Sequence, residues 1–161
     1  MDDDADNGRT EGSELVPSGT GSGRIATASA GTAFFSKTYD ETLAMLEEAQ
    51  AYLRHAHPIA DDLDNPLDIL VVRTEAFRLS SRLMQAAAWL LAQRAVHNGE
   101  IDPLDMQRDP KYRLGARKVC RDDSMHDHPA IPRGLGDLLK RSLNLYIRIE
   151  RLDSMQSATI H

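Results

Sequence analysis

The stretch from Pro66 to His97 constrains the fold more than any other part of the chain. It has no Gly and no internal Pro. As one helix it would be roughly 48 Å long at 1.5 Å per residue. Asn65 suits an N-cap, and Pro66 suits the first helical position, where its missing N–H costs nothing. Asp68 favours the positive end of the helix dipole, and Asn98-Gly99 gives the stop. One apolar seam, Leu70, Phe77, Met84 and Leu91, recurs every seven residues and is joined by Thr74, Ser81, Ala88 and Ala95. A second holds Val72, Ala76, Leu79, Leu83, Ala86 and Leu90. At about 100° per residue the two seams lie on different faces. Only Glu75, Arg78, Arg82 and Gln85, ending in Trp89, form a polar stripe. A helix apolar around most of its circumference has to be covered on most sides, and two further helices of one short chain do not suffice. The pattern therefore predicts a self-association surface, with Leu70, Phe77, Met84 and Leu91 in the core or the dimer contact.

Two other segments have helical periodicity. Leu43, Leu46, Ala49 and Leu53 place a helix over about Tyr39 to His55, opened by a Thr38–Glu41 capping box. Residues 57–65, with Pro58 and three Asp, form its connection to the central helix. Leu135, Leu138, Ser142, Leu145, Ile149 and Leu152 place a third helix from Ile131 or Leu135 to Asp153. Asp102-Pro103 caps a single turn through about Arg108, followed by a loop of about 20 residues, a length usually tied to function or mobility. The fold class is all-α: an antiparallel three-helix bundle with a long central helix, forming a homodimer. The domain spans 34–153, flanked by an acidic, Gly- and Ser-rich disordered tail at 1–33 and a frayed end at 154–161.

Composition narrows the function. Net charge is −6, of which the tail supplies −4, so the domain is nearly balanced. A chain whose main partner is nucleic acid would need a basic surface to neutralise phosphates. Cys120 is the one cysteine, so no intrachain disulfide forms, which fits a reducing cytoplasm. No stretch approaches the roughly 18 apolar residues of a membrane span, and the acidic N-terminus is the opposite of a secretory signal. The expected location is cytoplasmic.

No catalytic motif stands out: there is no GxSxG, HExxH, phosphate-cradling loop or dinucleotide fingerprint. The chain reads as a non-enzyme without a cofactor. Cys120, His126 and His128 are close enough in sequence for zinc, yet they lack a paired-Cys motif, and a polar solvated loop explains them as well. Lys111, Arg113, Arg117, Lys118 and Arg121 form a basic cluster weakened by Asp122 and Asp123. These features support an alternative, a helical regulator binding metal or nucleic acid through 109–130. In the central stripe, Arg78, Arg82, Gln85 and Trp89 are candidates for partner contact, since Arg and Trp are favoured interface types. Otherwise Trp89 packs beneath the protein's own loop or against the first helix.

The runs Thr74-Glu75-Ala76-Phe77-Arg78-Leu79-Ser80-Ser81-Arg82-Leu83-Met84-Gln85 and Trp89-Leu90-Leu91-Ala92-Gln93-Arg94-Ala95-Val96 resemble the central helix of the RcdA family, regulators of CtrA degradation in alphaproteobacteria. Phe34-Phe35, Gly99-Glu100, Arg141-Ser142-Leu143 and Arg151-Leu152-Asp153 match in order, so the resemblance spans roughly 34–153. It implies a homodimer of three-helix protomers acting as a proteolytic adaptor for the ClpXP protease. Such an adaptor binds cargo, such as a cell-cycle transcription regulator, and docks with a response-regulator-like adaptor on the unfoldase. It performs no chemistry itself.

Overall fold

Three long helices form the protein: α1 (Ser22–Asp61), α2 (Pro66–His97) and α5 (Arg133–Ala158). The connection between α2 and α5 holds α3 (Pro103–Arg108), a 3-10 turn at Pro110–Tyr112 and α4 (Arg117–Cys120). The computed structural model describes residues 22–61 and 63–158, with side chains at 33–55 and 63–156. The fold is all-α, and no strand occurs among the described residues. Helix α2 is central: α1, α5 and α4 all pack against it.

Helix α2 starts and stops where its caps dictate. Asn65 Oδ1 accepts a hydrogen bond from the Leu67 N–H at 3.0 Å. Past the other end, Gly99 takes a φ of +75°, a conformation that a side chain would oppose. Asp102 caps α3 in the same way, accepting from the Leu104 N–H at 2.7 Å.

Helix α1 extends beyond its expected limits. Thr38 lies inside the helix rather than capping it, and the Thr42 hydroxyl donates to the Thr38 carbonyl at 2.7 Å. With its hydroxyl returned to the backbone, Thr42 packs like a small apolar residue. The inward face is therefore Thr38, Thr42, Met45 and Ala49, and Leu43 is left exposed. The helix begins at Ser22, within the segment expected to be tail, and runs past His55 and Pro58 to Asp61. Extending a helix from a packed segment costs little per residue, and no Pro interrupts 22–33. Residues 1–21 of the expected tail lie outside the described residues. Helix α5 likewise continues beyond Asp153. Gln156 exchanges two amide hydrogen bonds with Gln93, at 2.8 and 2.9 Å, which holds the last turns on α2.

The core joins Met45 and Ala49 to Val72, Leu79, Leu83, Ala86 and Leu90, and to Leu135, Leu138, Leu139, Leu145, Tyr146 and Ile149. The orientation of α2 is the unexpected part. Its polar stripe faces inward, whereas Leu70, Phe77, Met84 and Leu91 are 61%, 70%, 65% and 50% exposed. The expectation that these four lie either in the core or in a dimer contact is thus corrected for the core. Helices α1 and α5 take two sides of α2 and the 109–130 segment takes a third, leaving the seam uncovered by the described residues.

Leu79→Ala, at a fully buried position, is expected to destabilise the fold by about 2–5 kcal/mol. Denaturant unfolding followed by circular dichroism measures the loss.

Candidate functional site

The polar stripe of α2 gathers the most elaborate chemistry in the protein. Arg82 is 0% exposed. Its Nε donates to the Cys120 carbonyl at 2.6 Å, and its Nη1 donates to the Leu139 carbonyl at 3.1 Å. Its Nη2 reaches the Asp122 carbonyl at 2.6 Å and His126 Nε2 at 3.1 Å. Arginine has donors only, so His126 Nε2 has to be the acceptor and the imidazole neutral. Burial, then the charge of Arg82, lowers the His126 pKa. Burial also lowers that of Arg82, with Glu75 opposing it. Arg78 pairs with Glu75 one turn back and donates to Asp122 Oδ2 at 2.7 Å. Glu75 is fully buried; its Oε2 has no hydrogen-bond partner among the described residues and sits 3.7 Å from His126 Nε2.

A second cluster surrounds Asp153, itself buried on α5. It accepts from Trp89 Nε1 at 3.0 Å and pairs with Arg113 at 3.0 Å and Arg117 at 3.1 Å. Glu150 faces Arg117 and Arg121 at 3.5 and 3.6 Å. Between the clusters, Gln85 Oε1 accepts from the Gly115 N–H at 3.1 Å, and the Tyr146 hydroxyl donates to the Gly115 carbonyl at 2.7 Å. A Cβ on Gly115 would meet Gln85 Oε1 at 2.9 Å, so a larger residue there would require the Gln85 amide to shift.

These contacts correct the expectation that Arg78, Arg82, Gln85 and Trp89 meet an outside partner. Arg78, Arg82 and Trp89 are buried and Gln85 is half-buried, all engaged by the protein's own 109–130 segment or by α5. The physical reason is that groups of the protein's own loop and of α5 engage each of these side chains: the Cys120, Asp122 and Leu139 carbonyls, the Asp122 and Asp153 carboxylates and the Gly115 N–H. The segment is accordingly ordered into turns and short helices. Three of its five basic residues, Arg113, Arg117 and Arg121, are spent on Asp153 and Glu150, which removes much of the patch proposed for nucleic acid. Cys120, His126 and His128 form no group able to hold a metal among the described residues. Cys120 is buried, and burial raises its pKa, favouring the thiol over the thiolate that zinc needs. Sequence reasoning did not find Asp153, Asp122 or Glu150 as partners, although the Arg151-Leu152-Asp153 motif held a cue to the first.

What faces outward along α2 is the apolar seam. Leu67 and Leu70 lead into Phe77, Met84 and Leu91, all exposed. No described helix is long and apolar enough to cross a membrane.

This arrangement defines a class: a helical bundle whose polar groups hold its own loop in place and whose central helix presents an apolar face. The chain matches the model of a family described as a protein of unknown function, DUF1465, over residues 26–160. Among solved structures it is similar to RcdA from Caulobacter crescentus, with 33% identity and a TM-score of 0.60, covering 77% of this chain and 91% of that one. A comparison with curated proteins gives no match. The chain belongs to the RcdA family.

Removing Arg82 leaves three carbonyls and His126 without their donor. Arg82→Ala is expected to cost about 3–5 kcal/mol, the range for breaking a buried charged network. Arg82→Lys is expected to recover only part of it, because a lysine cannot reproduce the fork; chemical denaturation compares the two. Protons also act on this network. Unfolded His126 takes up a proton near pH 6.5, whereas the folded protein resists it. Its contribution is therefore complete above that pH and is lost as the pH falls through the lowered folded value. Unfolding curves from pH 7.5 to 5 are expected to show this loss, and His126→Gln to flatten it.

Proposed function

We propose that this chain is a homodimeric adaptor that holds cargo proteins and promotes their degradation by the ClpXP protease, in the service of cell-cycle regulation. The observation that carries the proposal is the likeness to RcdA, at 33% identity over 77% of this chain. The exposed seam supports the dimer. Leu70, Phe77, Met84 and Leu91 are spaced by Thr74, Ser81 and Ala88, small enough for a second helix to approach. Burial of each large side chain would contribute about 1.5–3 kcal/mol. A two-fold pairing uses the same patch on both copies, which suits a self-complementary apolar helix face.

In this reading the adaptor works by proximity. Binding cargo and a response-regulator-like adaptor on the unfoldase at once raises the local concentration of cargo at the protease. Cargo of this kind includes a cell-cycle transcription regulator. No bond is made or broken on the adaptor, in keeping with polar side chains engaged in holding the fold, and its place of work is the cytoplasm. The neutralised loop arginines favour this reading over nucleic-acid binding.

Two measurements test it. Phe77→Asp combined with Met84→Asp is expected to leave helicity intact and convert the dimer to a monomer in sedimentation at micromolar concentration. A stable wild-type monomer would refute the dimer. In a reconstituted reaction with ClpXP, the response-regulator-like adaptor and a candidate cargo, the wild-type chain is expected to accelerate cargo loss. Turnover that ignores its presence across candidate cargos would refute the adaptor role.

A further inference from the structure

The stretch from Arg121 to Pro129 lies against the polar stripe of α2 with almost nothing apolar to hold it there. His126 is its one buried side chain; Asp122 and His128 are half-buried and the others are exposed, Met125 among them. Its attachment to the helix is polar. The Asp122 carboxylate accepts from Arg78 at 2.7 Å, the Asp122 carbonyl from Arg82 at 2.6 Å, and His126 Nε2 from Arg82 at 3.1 Å. The apolar core contains no side chain of this stretch.

The charges around His126 set two arginines against two carboxylates. Arg82, Arg78 and Glu75 of α2 and Asp123 of its own turn act on the imidazole. Lys140 of α5 is held by the adjacent Asp127 at 3.1 Å. Burial and the arginines outweigh the carboxylates, so the docked imidazole resists a proton. A proton on Nε2 would occupy the lone pair that Arg82 uses and set two cations 3.1 Å apart. Glu75 adds a second bias toward opening. Its Oε1 holds Arg78, while its Oε2 is buried with no hydrogen-bond partner among the described residues. His126 Nε2 lies 3.7 Å from that oxygen. Lifting His126 away admits water to it and relieves the cost of a buried unpaired acceptor.

We propose that His126 is a proton-operated latch, whose protonation at Nε2 frees residues 121–129 from α2 while the three-helix core stays folded. In the open form the imidazolium and Asp122 are hydrated, Arg78 keeps Glu75, and Arg82 keeps the Leu139 carbonyl. An open His126 takes up its proton near pH 6.5. The docked form does so only at a lower pH. The latch is therefore shut above about pH 6.5 and loosens as the pH falls toward the docked value. This goes beyond the adaptor reading and does not rest on it.

Cys120 reports the latch. It is the one cysteine of the chain, 0% exposed, and it ends α4 directly before the stretch, so release of the stretch uncovers its thiol. The test is the rate at which a pyridyl disulfide reagent labels Cys120 in the full-length protein from pH 7.5 to 5, divided by the rate for an unstructured peptide thiol at the same pH. The ratio is expected to rise as the pH falls, by about threefold or more in all and by no more than about tenfold per pH unit, the limit for one proton. Far-UV circular dichroism is expected to stay constant, and low urea to leave the ratio nearly unchanged, because a local opening exposes little surface. His126→Gln offers Arg82 an amide oxygen and no titrating ring, and is expected to abolish the pH dependence. His128→Gln is expected to keep it. The NMR titration midpoint of the His126 ring, a readout that needs no variant, is expected below about pH 6.5. A flat wild-type ratio, a pH dependence that survives His126→Gln or vanishes in His128→Gln, or a ring midpoint at or above that value overturns the proposal. So does labelling that rises with urea as steeply as global unfolding, or a loss of helicity over the same pH range.

Discussion

The guanidinium of Arg82 is the group on which the rest of the structure depends. Taking a charge out of water costs several kcal/mol even after relaxation. Here the cost is offset because the donors of Arg82 meet acceptors in separate parts of the chain: Cys120 and Asp122 in the α4 region, His126 beyond it and Leu139 on α5. Such an interaction is directional. It fixes where the carbonyls of 120–122 sit and which face of α5 meets α2, and thereby selects one arrangement for a segment with few apolar residues of its own. Apolar packing at Leu79, Leu83, Leu139 and Ile149 supplies the bulk of the driving force. The arginine selects among the ways of satisfying it.

That selection has a consequence on the opposite side of α2. The 109–130 segment is the longest stretch outside the three main helices, and so the natural cover for an exposed apolar seam. Its backbone is committed to Arg82, and its arginines to Asp153 and Glu150. It therefore lies over the polar stripe, and Leu70, Phe77, Met84 and Leu91 remain outside. A buried ionic network on one side of a helix has left an apolar face on another.

Much of the fold was legible in the sequence. The ends of α2 follow from Asn65, Pro66 and Asn98-Gly99, because capping is local chemistry that tertiary contacts leave alone. The inward residues of α5 follow from heptad spacing. The seven-residue recurrence of Leu70, Phe77, Met84 and Leu91 marked one coherent surface. Which side of α2 faces inward was not legible, for a physical reason. Periodicity groups residues by face, but it does not say whether a charged face meets water or carbonyls. Arginine on a helix is mostly exposed, and only partners distant in sequence, Cys120, Asp122 and Asp153, reverse that default. The same limit applied to α1, where Thr38 and Thr42 read as polar and pack as core, the Thr42 hydroxyl being satisfied along the helix by the Thr38 carbonyl.

The two sides of α2 now have different physical characters, and the difference bears on how an adaptor of this shape would work. The inner side is held by directional bonds, so the helix and its loop move as one body. The seam is apolar and tolerant of angle, the character suited to a helix from a second copy. A groove lined by Phe35, Tyr39 and Arg94 lies near the far end of the same helix from Leu70. A rigid helix carrying both surfaces would keep them at a set distance from one another. Effective concentration depends on such a span being defined, since a slack connection dilutes the second binding event. If the chain delivers cargo as proposed, the buried Arg82 network would contribute without touching any partner, by tying α2 to its loop and to α5.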